Sequence, residues 1–286
     1  MNSLTDCFKL SNGVEIPCFG YGTFLTPDGD VCKEGVKSAI KLGYRHIDTA
    51  AAYGNEASVS AGIKESGVKR EDIFITTKHW IDHRGYEKTI QAVDESLQRL
   101  GTDYIDLYLI HWPCVAKVNP NWEEINAETW RGFEDCYKAG KLKAIGVSNF
   151  ERKHLDALYK TCTVKPMANQ IEFHPGWMQK DTVEYSKENG MVVEAYMPLG
   201  GGNLLAYEGL KKIADKYGKS VAHICLRWVL QHDILPLCKS VHEERIKTNA
   251  EIFDFTISAE DMATIDNFPK LAFTGWVPEE GPADAL

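Results

Sequence analysis

Short apolar runs alternate along the chain with longer stretches whose apolar residues recur every three to four positions, the two periods that mark buried strands and amphipathic helices. The N-terminal residues depart from this beat. Phe8-Lys9-Leu10 and Val14-Glu15-Ile16 flank Asn12-Gly13, and that dipeptide's tolerance of left-handed backbone predicts a β-hairpin, a small plug or lid. From Phe19 onward the pattern predicts strand 19–23, helix 33–42, strand 46–48, helix 57–66, strand 73–78 and a helix striped by Ile90, Val93, Leu97 and Leu100. It continues with strand 104–111, helix 130–137, strand 144–147, helix 151–162, strand 168–172, helix 180–189 and strand 192–196. Helices 208–217 and 220–231, strand 234–238 and a helix over 243–253 complete it.

Eight strands, nearly all followed by a helix, call for parallel pairing through helical crossovers, and a (β/α)8 TIM barrel is the economical α/β closure. A doubly wound open sheet would carry a phosphate-binding Gly-x-Gly-x-x-Gly after its first strand, but Gly20-Tyr21-Gly22 does not extend to a third glycine. No low-complexity linker interrupts the pattern, so one domain over 1–286 is expected.

Composition narrows the partners. A formal net charge of −9 argues against nucleic acid or an anionic membrane as the general partner, while leaving room for a local basic cluster. The eight cysteines are scattered without a Cys-x-x-Cys pair, several within apolar patterns, and read as small core residues. The stretch 1–6 has neither a basic start nor an apolar run, and nowhere do eighteen apolar residues follow one another. A soluble, cytoplasmic monomer acting on a small molecule is expected.

Barrel enzymes keep their chemistry at the carboxyl ends of the strands, so the polar residue that closes each apolar run is informative. Here these are Asp48, Lys78, His111, Ser148-Asn149, Gln170 to His174, Tyr196 and Lys239-Ser240, with Tyr53 following Asp48 between strand and helix. Singly, each is as well explained as a paired buried polar group, and Asp48 as a helix cap. It is their recurrence at strand exits that points to a site. Asp48, Tyr53, Lys78 and His111 together make a coherent proton donor. A free phenol titrates near pH ~10, and an adjacent ammonium favours its ionised form. Lys78 would supply that charge, Asp48 would hold the lysine, and His111 would orient a carbonyl beside the phenol. Such a group protonates a carbonyl oxygen as its carbon is attacked.

Tyr44 to Ala50 with Tyr53, Thr76-Thr77-Lys78, Asp106 to Pro113, Ile145 to Phe150, Asn169 to Glu172, and Lys239-Ser240 with Arg245 and Asn249 carry a resemblance. Over essentially its whole length the chain resembles the aldo-keto reductases, in particular diketogluconate-reductase-like members of bacteria and protozoa. The resemblance implies a (β/α)8 barrel that reduces a small-molecule carbonyl with NADPH bound outside any Rossmann domain, and the tetrad Asp48, Tyr53, Lys78 and His111. It further implies that Ser148, Asn149 and Gln170 hold the nicotinamide carboxamide and that Tyr196 stacks on its ring. Pro198, Leu199 and Asn249 fall among the cofactor contacts, and Lys239, Ser240 and Arg245 would take the 2′-phosphate, for which a lysine plus a guanidinium fork is suitable chemistry. Two positions depart from the family pattern: Cys238 replaces a usual proline, and Thr248 stands where a glutamate often meets adenine.

Phe24, Trp80, Trp112 and Trp276 lie just past strand ends or in the C-terminal tail and are expected to wall the substrate pocket. The 113–128 loop and the tail after Pro269, a C-terminal loop over the active site, would set specificity. Gly200-Gly201-Gly202 would hinge a segment closing over the pyrophosphate. Two other readings compete. A metal-dependent barrel hydrolase, using His46, Asp48, Lys78, His111, Glu172 and His174, would hold a metal and lose activity to a chelator; a non-enzymatic NADPH-binding regulatory subunit would bind cofactor without turnover.

Overall fold

The alternating segments close into a barrel of eight parallel strands in a computed structural model that describes residues 1–272 and 274–280. Two short strands come first, β1 (Cys7–Lys9) and β2 (Glu15–Pro17), an antiparallel hairpin with Phe8 opposite Ile16. Gly13, at φ +91°, makes the turn that Asn12-Gly13 predicted. The Asn12 side chain donates to the Lys143 carbonyl just upstream of a barrel strand, so the hairpin plugs the amino end of the barrel, away from the strand exits.

The barrel strands are β3 (Gly20–Gly22), β4 (His46–Asp48), β5 (Phe74–His79), β6 (Leu107–Ile110), β7 (Ile145–Ser148), β8 (Ala168–Glu172), β9 (Val192–Tyr196) and β10 (Leu235–Cys238). They pair in chain order and β10 returns to β3. Around them lie α1 (Asp30–Lys41), α2 (Glu56–Ser66), α3 (Tyr86–Leu100), α4 (Trp122–Lys138), α5 (Arg152–Tyr159), α6 (Lys180–Glu188), α7 (Glu208–Tyr217), α8 (Val221–Gln231), α9 (Glu243–Asn249) and α10 (Ala259–Asp266). Strand alternation gives each strand one face toward the helices, where Ile47, Ile75 and Tyr108 are fully buried, and one toward the barrel interior.

Three expectations shift. Helix α4 begins at Trp122, so the second half of the expected 113–128 loop is helical. Its hidden face carries Asn126 and Thr129 as well as Trp130 and Phe133, and those polar residues masked the apolar stripe. Asn126 is satisfied there by the Cys114 backbone, accepting from its N–H at 2.8 Å and donating to its carbonyl at 3.0 Å. Helix α9 stops at Asn249 rather than 253, and α10, capped by the Ser258 hydroxyl on the Asp261 N–H, was not anticipated. Of the tail after Pro269, residue 273 and residues 281–286 lie outside the described residues. No helix among the described residues is long and apolar enough to cross a membrane, and all eight cysteines are free.

Candidate active site

Tyr53 reaches the carboxyl end of the barrel on a short, well-fastened turn. Strand β4 ends at Asp48, residues Ala51–Tyr53 form one 3-10 turn, and Gly54 leaves it in the left-handed region at φ +67°. The cap of α2 is Asn55, not Asp48. Its amide donates to the carbonyls of Thr23 and Thr26 at 3.1 and 3.0 Å, and its oxygen accepts from the Thr49 hydroxyl at 2.8 Å. The loop after β3 and the loop after β4 are thereby tied together beneath the phenol.

Behind the phenol, the fully buried Lys78 ammonium donates to Asp48 Oδ1 at 2.7 Å, to Asp48 Oδ2 at 2.8 Å and to the Thr49 carbonyl at 2.8 Å. It lies 5.2 Å from the Tyr53 ring centroid. Burial, and secondly the Asp48 carboxylate, hold the phenol well above its ordinary range. This direction is opposite to the one expected from sequence: Lys78 comes with its own counter-ion, so in the resting site desolvation of the phenolate outweighs the lysine's attraction. His111 packs edge-on against both Tyr53 and Trp80, at 5.7 and 5.1 Å between ring centroids. Burial, then Lys78 and His79, pull its imidazole well below the ordinary histidine range, so it is neutral.

A cavity of about 900 Å³ opens over these groups, and every residue singled out for the site lines it except Lys78, which stands behind the wall. On one side, the Ser148 hydroxyl donates to the Gln170 carbonyl at 2.8 Å, and the Asn149 amide donates to the His111 carbonyl at 3.0 Å. Asn149 holds φ +63°, and its oxygen accepts from the Tyr196 hydroxyl at 2.9 Å, which fixes the tilt of that ring. The Gln170 amide nitrogen faces inward, donating to Asp48 and Glu194. Pro198 and Leu199 follow along the wall.

Lys239 and Arg245 are exposed at the cavity edge. Lys239 reaches the Leu25 carbonyl at 3.4 Å, and no carboxylate pairs with either cation among the described residues. Ser240 accepts from the His242 N–H at 3.1 Å. Cys238 is buried at the end of β10, its thiol pushed up to about 12 by burial, with Tyr44 and Asn249 as hydrogen-bonding neighbours. Thr248 lines the same wall but is uncharged.

The four expected substrate residues meet around Tyr53. Phe24 packs against Tyr53 at 5.1 Å and against Trp276 at 5.9 Å, Trp276 against Trp112 at 6.4 Å, and Trp80 covers His111. Arg84 fixes the Trp112 backbone by donating to the carbonyls of Trp112 and Pro113 at 3.3 and 2.8 Å. What brings Trp276 over the site is a latch that sequence reasoning did not identify. The Thr274 hydroxyl donates to Glu172 Oε2 at 2.6 Å and its N–H to Glu172 Oε1 at 3.2 Å. Glu194, fully buried in β9, was also overlooked, although a carboxylate amid Val192-Val193-Glu194-Ala195 is a signal in itself. No group of three His, Cys, Asp or Glu able to hold a metal occurs among the described residues.

A profile of the Aldo/keto reductase family matches residues 19–270, most of the barrel and its site. The chain belongs to this family. Glyoxal reductase of Bacillus subtilis is 51% identical over 278 residues, covering 97% of this chain and 98% of that protein. The 9,11-endoperoxide prostaglandin H2 reductase of Trypanosoma cruzi is 43% identical over 282 residues, with 98% and 97% covered. Among solved structures, the Bombyx mori aldo-keto reductase in complex with NADP superposes with a TM-score of 0.83 at 35% identity, covering 93% of each chain. In this aldo-keto reductase the strand-end constellation from Asp48 to Arg245 falls within the matched residues.

Proposed function

We propose that this aldo-keto reductase converts an aldehyde or ketone to an alcohol, with NADPH as hydride source and Tyr53 as general acid. The observation that carries the reading is one continuous cavity lined both by Tyr53 and His111 and by the cations Lys239 and Arg245. The residues suit the cofactor: a lysine and a guanidinium that have no carboxylate partner among the described residues match a phosphate dianion, and Ser148, Asn149 and Gln170 offer amide and hydroxyl partners for a carboxamide. Relatives support it too, since one is named for glyoxal reduction and another was solved with NADP. We take the chain to work as a single domain in the cytoplasm, where free thiols stay reduced.

When bound, NADPH supplies a hydride to the substrate's carbonyl carbon. Tyr53 keeps its proton on Oη, since burial and Asp48 disfavour the phenolate, and so stands in the donor form at neutral pH. The neutral His111 beside it directs the carbonyl oxygen toward the phenol. Once the proton leaves, the Lys78 ammonium, 5.2 Å from the ring centroid, offsets part of the new phenolate charge. The walls of Phe24, Trp80, Trp112 and Trp276 exclude water and take the substrate's apolar part.

The test is loss of NADPH absorbance with a panel containing glyoxal, aryl aldehydes and simple ketones. Oxidation with at least one aldehyde is expected. Tight NADPH binding with no turnover on any member would overturn the reading in favour of a regulatory subunit.

A further inference from the structure

Inside the barrel, below Tyr53, lies a buried cluster that the reaction above does not use. Glu194 is fully buried in β9, and its cross-strand partner on β8 is Gln170. The Gln170 amide nitrogen donates to two different carboxylates, Asp48 Oδ2 at 2.9 Å and Glu194 Oε2 at 3.1 Å. The same Asp48 grips Lys78 through both of its oxygens. Glu194 Oε1 is buried with no hydrogen-bond partner among the described residues and lies 3.8 Å from His46 Nε2, which is itself engaged with the Thr76 hydroxyl at 2.9 Å. Gly20 makes the room for that imidazole, since a methyl group there would sit 2.9 Å from His46 Nδ1.

Charge balance decides which form of Glu194 fits. Facing it are His46 and Asp48 from β4, Lys78 from β5 and the neutral Gln170 from β8. Its other neighbour, β10, brings Leu235, Pro236, Leu237 and the neutral Cys238 thiol. Burial pulls His46 down to about 3, so it carries no charge. One ammonium then faces Asp48 and Glu194, and an ionised Glu194 would leave a net negative charge in the barrel interior. Burial and Asp48 accordingly push the Glu194 carboxyl up to about 8.

We propose that Glu194 is a positioning residue of the reductase reaction, neutral in the active form, whose ionisation acts through the Gln170 bridge on the Asp48–Lys78 pair and so on Tyr53. The proposal rests on the reading of Tyr53 as the acid. Donating its proton leaves negative charge on the phenol, and a second carboxylate charge in the same buried cluster opposes that step. An alkaline fall in the rate of the chemical step therefore belongs to Glu194; the phenol, held well above its ordinary range, titrates later.

The experiment is the single-turnover rate of NADPH oxidation against pH for the full chain with saturating carbonyl substrate, which reads the chemical step whatever limits steady-state turnover, wild type beside Glu194→Gln, which keeps the shape and cannot ionise. Whatever the absolute rates, a single group ionising near 8 makes the wild-type single-turnover rate fall about tenfold between roughly pH 7 and 9, whereas the Gln variant is flat over that range and Glu194→Asp again falls. An alkaline fall unchanged in Glu194→Gln overturns the proposal. Protonation is read separately in the wild type, labelled with carbon-13 at the glutamate δ-carboxyls: one resonance should stay protonated at neutral pH and titrate near 8. If every glutamate is ionised by about pH 6, the neutral acid is refuted. The labelling measurement involves no substrate, so a failed reductase assay and a failed Glu194 assignment are told apart.

Discussion

The Lys78 ammonium lies 5.2 Å from the Tyr53 ring centroid, yet its three hydrogen bonds go to both oxygens of Asp48 and to the Thr49 carbonyl. If Tyr53 is the acid, as proposed, Lys78 is placed to act on it as a charge rather than as a hydrogen-bond donor, with an effect that grows as the phenol loses its proton. Tyr53→Phe keeps the ring and removes only the acid, so turnover should drop by about 10²–10⁴-fold while NADPH, followed by fluorescence titration, still binds. Lys78→Met should cost a comparable factor in rate and, by leaving Asp48 buried without its cation, about 3–5 kcal/mol of stability in denaturant unfolding. Because the two groups act as one unit, the double variant should be little slower than either single one. Losses that multiply would break the unit, and a Tyr53→Phe enzyme with most of its activity would make His111 the acid to examine.

Arg245 and Lys239 stand at the cavity edge with no carboxylate partner among the described residues. Only a phosphorylated cofactor offers them a dianion. A charge-assisted hydrogen bond contributes roughly 1.5–3 kcal/mol, so Arg245→Ala should weaken NADPH binding by about ten- to a hundredfold and leave NADH nearly untouched. Equal losses for the two cofactors, measured by titration calorimetry, would remove the 2′-phosphate from this edge.

Much of this was legible because barrel strands are buried on both faces and announce themselves as apolar runs, and the fold forces chemistry to their ends. Asp48 and Lys78 close such runs, and the structure seats them in contact. The roles of Ser148, Asn149 and Gln170 came from family resemblance alone, since no local pattern says what a strand-end amide will hold. The start of α4 was hidden because Asn126 and Thr129 occupy its buried face, paired with neighbouring groups in a way that no periodicity reveals. The Thr274–Glu172 latch joins residues 102 positions apart, beyond any local signal. The direction of the Tyr53 shift was misjudged for a different reason: sequence names charges but not how each is already neutralised.

Gly200, Gly201 and Gly202 all hold left-handed backbone, at φ +55°, +63° and +95°. Chain neighbours aside, no atom of the described residues lies within 4 Å of where a side chain would begin at Gly201 or Gly202, so backbone conformation, not space, is what demands glycine there. If this stretch hinges the segment that closes over the cofactor, release rather than chemistry limits steady-state turnover, and stopped flow should record a burst of NADPH oxidation. Gly202→Ala should strain the closed form by about 1–2 kcal/mol and speed cofactor release by roughly tenfold. A full primary isotope effect on steady-state turnover of the wild type would assign the limit to hydride transfer instead.

Stability should carry the mark of Glu194 in a defined pH window. Its carboxyl is raised from an ordinary 4.5 to about 8, so the stability it contributes is complete below the unfolded value and is lost as pH rises through the folded one. The buried imidazoles act on the other side: His46, His79 and His154 are depressed from 6.5 to about 3, 4 and 3, and their contribution is lost only as pH falls below 6.5. Between about pH 6.5 and 8.5 the folded histidines are neutral while the unfolded ones lose their last protons, a change common to wild type and Glu194→Gln that cancels in the comparison; the unfolded Glu194 is already ionised, and the folded one is still giving up its proton. At 1.36 kcal/mol per pH unit, wild type should lose about 2 kcal/mol over that interval relative to Glu194→Gln. Denaturant unfolding of both proteins at each end of the interval measures the difference directly. Parallel pH dependences would mean that Glu194 is ionised in the folded barrel, with His46 or a shift of Lys78 balancing its charge.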